Sequence, residues 1–203
     1  MSFSKFNWLG NHLLDIRTKI WKQTLHFNDI LTFWFHEIKP KQWWKKDKKF
    51  DDLLRCKFLN IHSLAIKCQL TSWQTCEKGR LAEIIVIDQF SRNIFRNKPE
   101  AFNSDHLALF LSKEILHLGL YQKFNKNEKI FAFMPFMHSE IFEDQIISLN
   151  LYSNLGIKEN FHSALKHFNI IRKFGRFPHR NKILNRKSTD EELAFLKTPG
   201  SSF

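Results

Sequence analysis

Arg80-Leu81-Ala82-Glu83-Ile84-Ile85-Val86-Ile87-Asp88-Gln89-Phe90-Ser91-Arg92-Asn93-Ile94-Phe95-Arg96 is the stretch on which the fold turns. Its first half is almost wholly apolar, so it belongs at the centre of the molecule. By propensity alone, Ile84 to Ile87 also suits a buried strand. No partner strand is visible anywhere else, which favours a central helix. Into this apolar run come Asp88, Gln89, Arg92, Asn93 and Arg96. On a helix Asp88 and Arg92 stand one turn apart, as do Gln89 and Asn93, and Arg92 and Arg96. Charges beside a buried run require partners, because an isolated buried ion is costly. The plainest partner for Asp88 is Arg92, in a pair that fixes helix packing.

Helical spacing continues on both sides. Asn28 is placed to cap Ile30 to Glu37, which Pro40 ends. Trp43, Trp44 and a lysine cluster follow as a connector, and Asp47 to Leu70 has a regular apolar face. Asn103 or Ser104 caps Asp105 to Leu118, closed by Gly119. Asn125 to Glu128 opens a short helix over Lys129 to Met134 that Pro135 interrupts. His138-Ser139-Glu140 and Asp144-Gln145 open the next, with Glu140 and Asp144 on one face, and Gly156 stops it near Leu155. Lys158 to Phe174 is amphipathic, with His162, Lys166 and His167 on its wet side. Ser188 with Glu191 reads as the capping box of a last helix through Leu196. The sum is seven to nine helices and no strand: an all-α chain with a short amphipathic extension over residues 1–27 and a single domain over 28–203.

Composition sets bounds on function. At 203 residues and 43% apolar, the chain can bury a substantial core, and 22 phenylalanines and six tryptophans suit helix-on-helix packing. The net charge of +12 brings acidic partners, including RNA, into consideration, although the lysines are scattered. Three cysteines without paired spacing argue against a disulfide framework and for a reducing compartment. No zinc pattern, cofactor motif, membrane span or secretory signal stands out. The expectation is a cytoplasmic protein that needs no membrane, metal or cofactor.

A third polar stretch, Phe174-Gly175-Arg176-Phe177-Pro178-His179-Arg180-Asn181, is a shaped turn after a helix. Gly175 supplies conformational freedom and Pro178 restricts both itself and Phe177. Arginine forks held by such a turn match carboxylate or phosphate oxygens.

Together, Phe33-Trp34-Phe35, Asp88 to Asn93, Pro135 with His138 to Glu140, Asp144-Gln145, Phe174 to Asn181, and Arg186 with Ser188-Thr189 resemble a bacterial family known as domain of unknown function 924. The resemblance runs from about Asn28 to the C-terminus. It implies a right-handed stack of antiparallel helix pairs, similar to tetratricopeptide repeats, and no established activity. Three positions depart from the family pattern: Ser91 where proline is usual, Glu83 in an otherwise apolar run, and Asn185 where glycine is frequent.

Four functional readings follow. In the first, a small anionic or phosphate-bearing ligand is held by Arg92, Arg96, Arg176, His179, Arg180 and Arg186, with Asp88, Glu140, Asp144 and Gln145 orienting the arginines and Gln89, Asn93 and Asn181 as further binding residues. In the second, the cluster is a hydrolase or transferase site for a phosphate ester, with His138 or His179 as acid/base, Glu140 as orienter or proton acceptor, and the arginines stabilising developing negative charge. The third is a protein- or RNA-binding module using exposed aromatics such as Trp43, Trp44 or Trp73. The fourth is a buried polar network that holds the helices in register. All four require the three polar stretches to meet in space.

Overall fold

The computed structural model describes residues 25–202. The expected extension therefore lies, as far as residue 24, outside the described residues. The decisive stretch is helical throughout. α4 runs as one rod through Glu77–Ile84, a π-helical segment Ile85–Phe90, and Ser91–Ile94. Every residue from Leu81 to Ser91 is buried. A π turn holds more residues than an α turn, so it shifts the face shown by everything after it.

Around α4 the chain places α1 (Phe27–Thr32, prolonged by π turns at Phe33–Glu37), α2 (Pro40–Trp44) and α3 (Lys48–Ile66). Then follow α5 (Asp105–His117), α6 (Lys126–His138), α7 (Phe142–Leu155), α8 (Lys158–Phe174) and α9 (Asp190–Leu196). Among the described residues there are thus nine helices and no strand. α4 packs against α1, α3, α5 and α6, while α6, α7 and α8 pack in succession through short connections. Aromatic rings fill the junctions: Phe33, Phe58 and Phe90 meet edge-on or tilted, and Trp34 packs edge-on against Phe131. Tyr152 is buried and donates to the carbonyl of Ile130 at 2.8 Å, tying α7 to α6.

Several local expectations are corrected. His26, not Asn28, occupies the N-cap of α1. The central helix starts before Arg80, at Glu77, so Gly79 lies inside α4, whose N-cap is Cys76. The capping box of α9 is Thr189 with Glu192, one residue later than Ser188 with Glu191. α6 runs through Pro135 to His138. Proline removes one backbone donor, and the freed end of α6 is held by tertiary contacts. The Gln145 amide donates to the carbonyls of Phe136, Met137 and Ser139. α7 begins only at Phe142, so Glu140 and Asp144 do not share a helical face. His167 is buried on α8 rather than wet, donating from Nδ1 to the Ser163 carbonyl at 2.7 Å. Trp73 is also buried, leaving Trp44 as the exposed tryptophan of the three suggested anchors. The Glu83 carboxyl accepts from the Gln74 amide at 3.0 Å, and burial pushes its pKa up.

Two predictions follow from the packing. A Cβ at position 79 would lie 2.0 Å from the Trp73 carbonyl oxygen, so Gly79→Ala forces backbone apart. Urea unfolding should show a loss of about 1–3 kcal/mol, with the midpoint lowered and the slope unchanged. Burial lowers the pKa of His62 to about 4, and His62 Nε2 donates to Ser91 Oγ at 2.7 Å. The folded state therefore resists protonation at a site that the unfolded chain protonates near pH 6.5. This contribution is complete above pH 6.5 and is lost as the pH falls towards 4. Its size is up to about 3 kcal/mol, and calorimetry of wild type and His62→Gln should show the smaller acid dependence in the variant.

Candidate functional site

The three polar stretches meet. Asp88, from the π segment of α4, is 1% exposed and receives His138 Nδ1 of α6 at 2.7 Å. Arg92 contacts the same carboxylate at 3.2 Å and donates to the Asp88 carbonyl at 2.7 Å. The other arm of Arg92 reaches Asp105 Oδ2 at 3.0 Å, at the start of α5. Arg180, from the turn after α8, donates to the same oxygen at 3.2 Å and to the His138 carbonyl at 3.0 Å. Its guanidinium lies between the rings of Phe102 and Phe177, 4.7 and 4.6 Å from their centroids. Gln89 donates to the Asp88 carboxylate from the adjacent position. His167 packs beside His138 with ring centroids 6.2 Å apart.

Next to this cluster lies a second one. Glu140 accepts from both arms of Arg186, at 2.7 and 3.0 Å, and from the Phe177 N–H at 2.8 Å. Arg186 also donates to Asn181 Oδ1 at 2.9 Å and to the Phe177 carbonyl at 3.1 Å. Arg176 forms a forked pair with Glu192 at 2.7 and 2.8 Å, and Asn181 donates to Ser188 Oγ and Glu192. Two proposed residues lie apart, near the C-terminal end of α4: Asn93 on the helix and Arg96 just beyond it both bind Asp51 of α3, with Arg96 Nη2 at 2.7 Å and Asn93 at 2.9 Å. Asp144 is also separate, held by Ser139 Oγ and by Lys113 of α5, each at 2.8 Å.

The arginines are thus engaged from within. Arg92, Arg96, Arg176, Arg180 and Arg186 each hold a carboxylate. Three of the carboxylates, Asp51, Asp105 and Glu192, were absent from the sequence-derived set. Asp51 begins an amphipathic helix, Asp105 follows a cap, and Glu192 belongs to a capping box. Each has an ordinary local role in the sequence, so only distance in the fold reveals its partner.

Charge states follow from these neighbours. Burial opposes ionisation of Asp88, but Arg92 and His138 outweigh it and hold the pKa well below the usual range. Burial and Arg92 lower the pKa of His138 against the pull of Asp88. Burial also lowers His179, to about 3, with Arg180 and Lys46 adding to the shift and Glu140 opposing it. Lys46 from the α2–α3 connector is therefore part of this neighbourhood, a cation that the motifs did not flag. Lys46 itself is exposed and has no ion-pair partner among the described residues. Arg180 is lowered to about 10 by burial. Among the described residues, Asp105 Oδ1 and Arg180 Nε are buried without a hydrogen-bond partner. No group of three or more potential metal ligands was found among the described residues, and no described helix is long and apolar enough to cross a membrane.

Arg186 makes the most connections between the two later stretches, and the replacement of its fork by an ammonium tests that role. Arg186→Lys should cost about 1–3 kcal/mol in chemical denaturation. A double-mutant cycle with Glu140→Gln should return a coupling of about 0.5–3 kcal/mol.

Comparison with known proteins places this arrangement. The model of the family described as "Bacterial protein of unknown function (DUF924)" matches residues 30–200. A solved structure of a protein of unknown function from Agrobacterium tumefaciens superposes with a TM-score of 0.80 at 34% identity, covering 84% of this chain and 96% of that one. A search of curated proteins found no match. With the family model spanning the helices that carry every site residue described above, the chain belongs to the bacterial family of unknown function DUF924.

Proposed function

We propose that the protein is an acid–base enzyme, a hydrolase or transferase, acting on a small anionic substrate such as a phosphate ester. The observation that carries this reading is the Asp88–His138 pair. An ionised carboxylate only accepts hydrogen bonds, so His138 carries its proton on Nδ1 and keeps a lone pair on Nε2. That nitrogen has no hydrogen-bond partner among the described residues, and the side chain is 14% exposed. A neutral imidazole, fixed in tautomer by a buried carboxylate and open on its far nitrogen, is built to move protons. Asp88 replaces Glu140 as the orienter, since Glu140 is occupied by Arg186 and Phe177.

His138 Nε2 would take a proton from a water or hydroxyl as that oxygen attacks the substrate, and return it to the leaving group. Asp88 would stabilise the imidazolium in between. Lys46 supplies free positive charge to attract an anion. Arg92 and Arg180 hold Asp105 and shape the wall of the site rather than grip the substrate. No hydrogen bond ties His138 Nε2 into the network among the described residues, which leaves it free for a substrate.

The test is a panel of phosphate mono- and diesters assayed with wild type, His138→Gln and Asp88→Asn. The expected result is turnover that falls by about a hundredfold or more in each variant. The rate should rise with pH and reach half-maximum below the ordinary histidine value, because the base works unprotonated. Nitrogen-15 NMR should find His138 protonated on Nδ1 and shifted by inorganic phosphate. Turnover indifferent to His138→Gln, or a His138 ring protonated on Nε2, would overturn the assignment.

A further inference from the structure

Six lysines stand within eleven residues from the start of α2 to the start of α3: Lys39, Lys41, Lys45, Lys46, Lys48 and Lys49. All six are exposed. The acids around them do not cancel their charge. Asp47 pairs with Lys45 at 3.3 Å, Asp51 is buried on Arg96, and Glu37 pairs with Lys57. Asp52 is exposed in the first turns of α3. Set against Asp47 and Asp52, the six lysines still leave four positive charges in this segment. Three of them, Lys39, Lys41 and Lys45, line one cleft of about 280 Å³ together with Gln42, Asp47 and Phe50. Lysines around one small cleft repel one another, and an anion seated among them relieves that repulsion.

Trp44 adjoins these cations. Lys41 lies one turn before it on α2, and Lys45 is the next residue of the chain. The Trp44 indole lies nearly parallel to the Phe131 ring, at 10° with centroids 5.9 Å apart, and meets Trp43 edge-on at 86°. It is nevertheless 55% exposed, so the face turned from Phe131 meets solvent. A large ring backed by one aromatic and steadied by another is a stacking platform that loses little freedom when it is covered.

The occupant must bring both negative charge and a flat ring. A single strand of nucleic acid carries a base beside every phosphate. A duplex keeps its bases stacked on each other and offers mainly its backbone. An acidic peptide has no ring at regular intervals to lay on Trp44. A lipid surface takes apolar side chains that project into it, whereas this indole lies flat on its neighbour.

We propose that the segment joining α2 to α3 binds single-stranded nucleic acid, with one base stacked on Trp44 and the adjoining phosphates held by Lys39, Lys41 and Lys45. Lys46 borders the His138 site through His179. Binding at Trp44 does not depend on catalysis at His138, and the test reads binding alone.

The full chain is titrated at about 0.15 M salt against a fluorescent oligouridine of about ten nucleotides, a duplex of the same length, polyglutamate, and phosphatidylserine vesicles. Oligouridine should bind at least about tenfold more tightly than the duplex, although the duplex carries the denser charge. Trp44→Leu keeps an apolar side chain against Phe131 and should weaken binding about fivefold or more. Trp44→Phe should retain most of the affinity. Lys39→Gln, Lys41→Gln and Lys45→Gln together should reduce the slope of log affinity against log salt by about 2, at about 0.7 for each phosphate contact. Lys158→Gln with Lys166→Gln, exposed on α8, should leave affinity within about twofold. Duplex binding as tight as the single strand, affinity unchanged in Trp44→Leu, or equal binding of polyglutamate would overturn the proposal. So would capture by the vesicles that oligouridine fails to displace, since the occupant would then be a lipid surface.

Discussion

A carboxylate buried in the middle of the central helix sets the terms for the rest of the molecule. Asp88 sits where the π turn of α4 leaves almost no exposure, and its charge survives there only with cations and donors around it. Arg92 provides one contact from the same helix, and His138 another from α6. Arg92 in turn needs Asp105, which brings α5, and Asp105 receives Arg180, which brings the turn after α8. Desolvation of one acid therefore specifies how four elements far apart in sequence must sit together.

The same bookkeeping governs the periphery of this cluster. Arg176, Arg186 and Arg96 each hold a carboxylate in a forked or multidentate arrangement that a lysine could not reproduce. These pairs use arginine as a geometric connector rather than as a source of free charge. The remaining positive charge resides on exposed lysines and on arginines such as Arg172. Two kinds of basic residue thus differ in role: internal forks join elements that are far apart in the chain, and external cations stay in solvent.

The ordering of the histidines follows from depth. His62 and His167 are buried with a hydrogen bond each, and burial keeps them neutral. His138 differs because its Nδ1 meets a buried carboxylate, and its side chain is 14% exposed rather than fully enclosed.

Much of the fold was legible in the sequence. Apolar periodicity located nearly every helix, and the absence of any partner strand decided how Ile84 to Ile87 fold. The polar motifs marked stretches that do meet, and Asp88 with Arg92 was readable from spacing alone. What spacing could not supply was the identity of long-range partners. Asp51, Asp105 and Glu192 look like ordinary helix-start acids until Arg96, Arg180 and Arg176 arrive from elsewhere in the chain. Pro135 reads as a break because local rules count only the lost backbone donor, whereas Gln145 holds the end of the helix from outside. His167 reads as wet because its neighbours in sequence are polar, yet the packing of α8 buries it. Local propensity acts over a few residues and is written in the order of the chain. The pairing of buried charges acts through space, and only the folded backbone brings the groups close enough for desolvation and Coulomb attraction to choose among them.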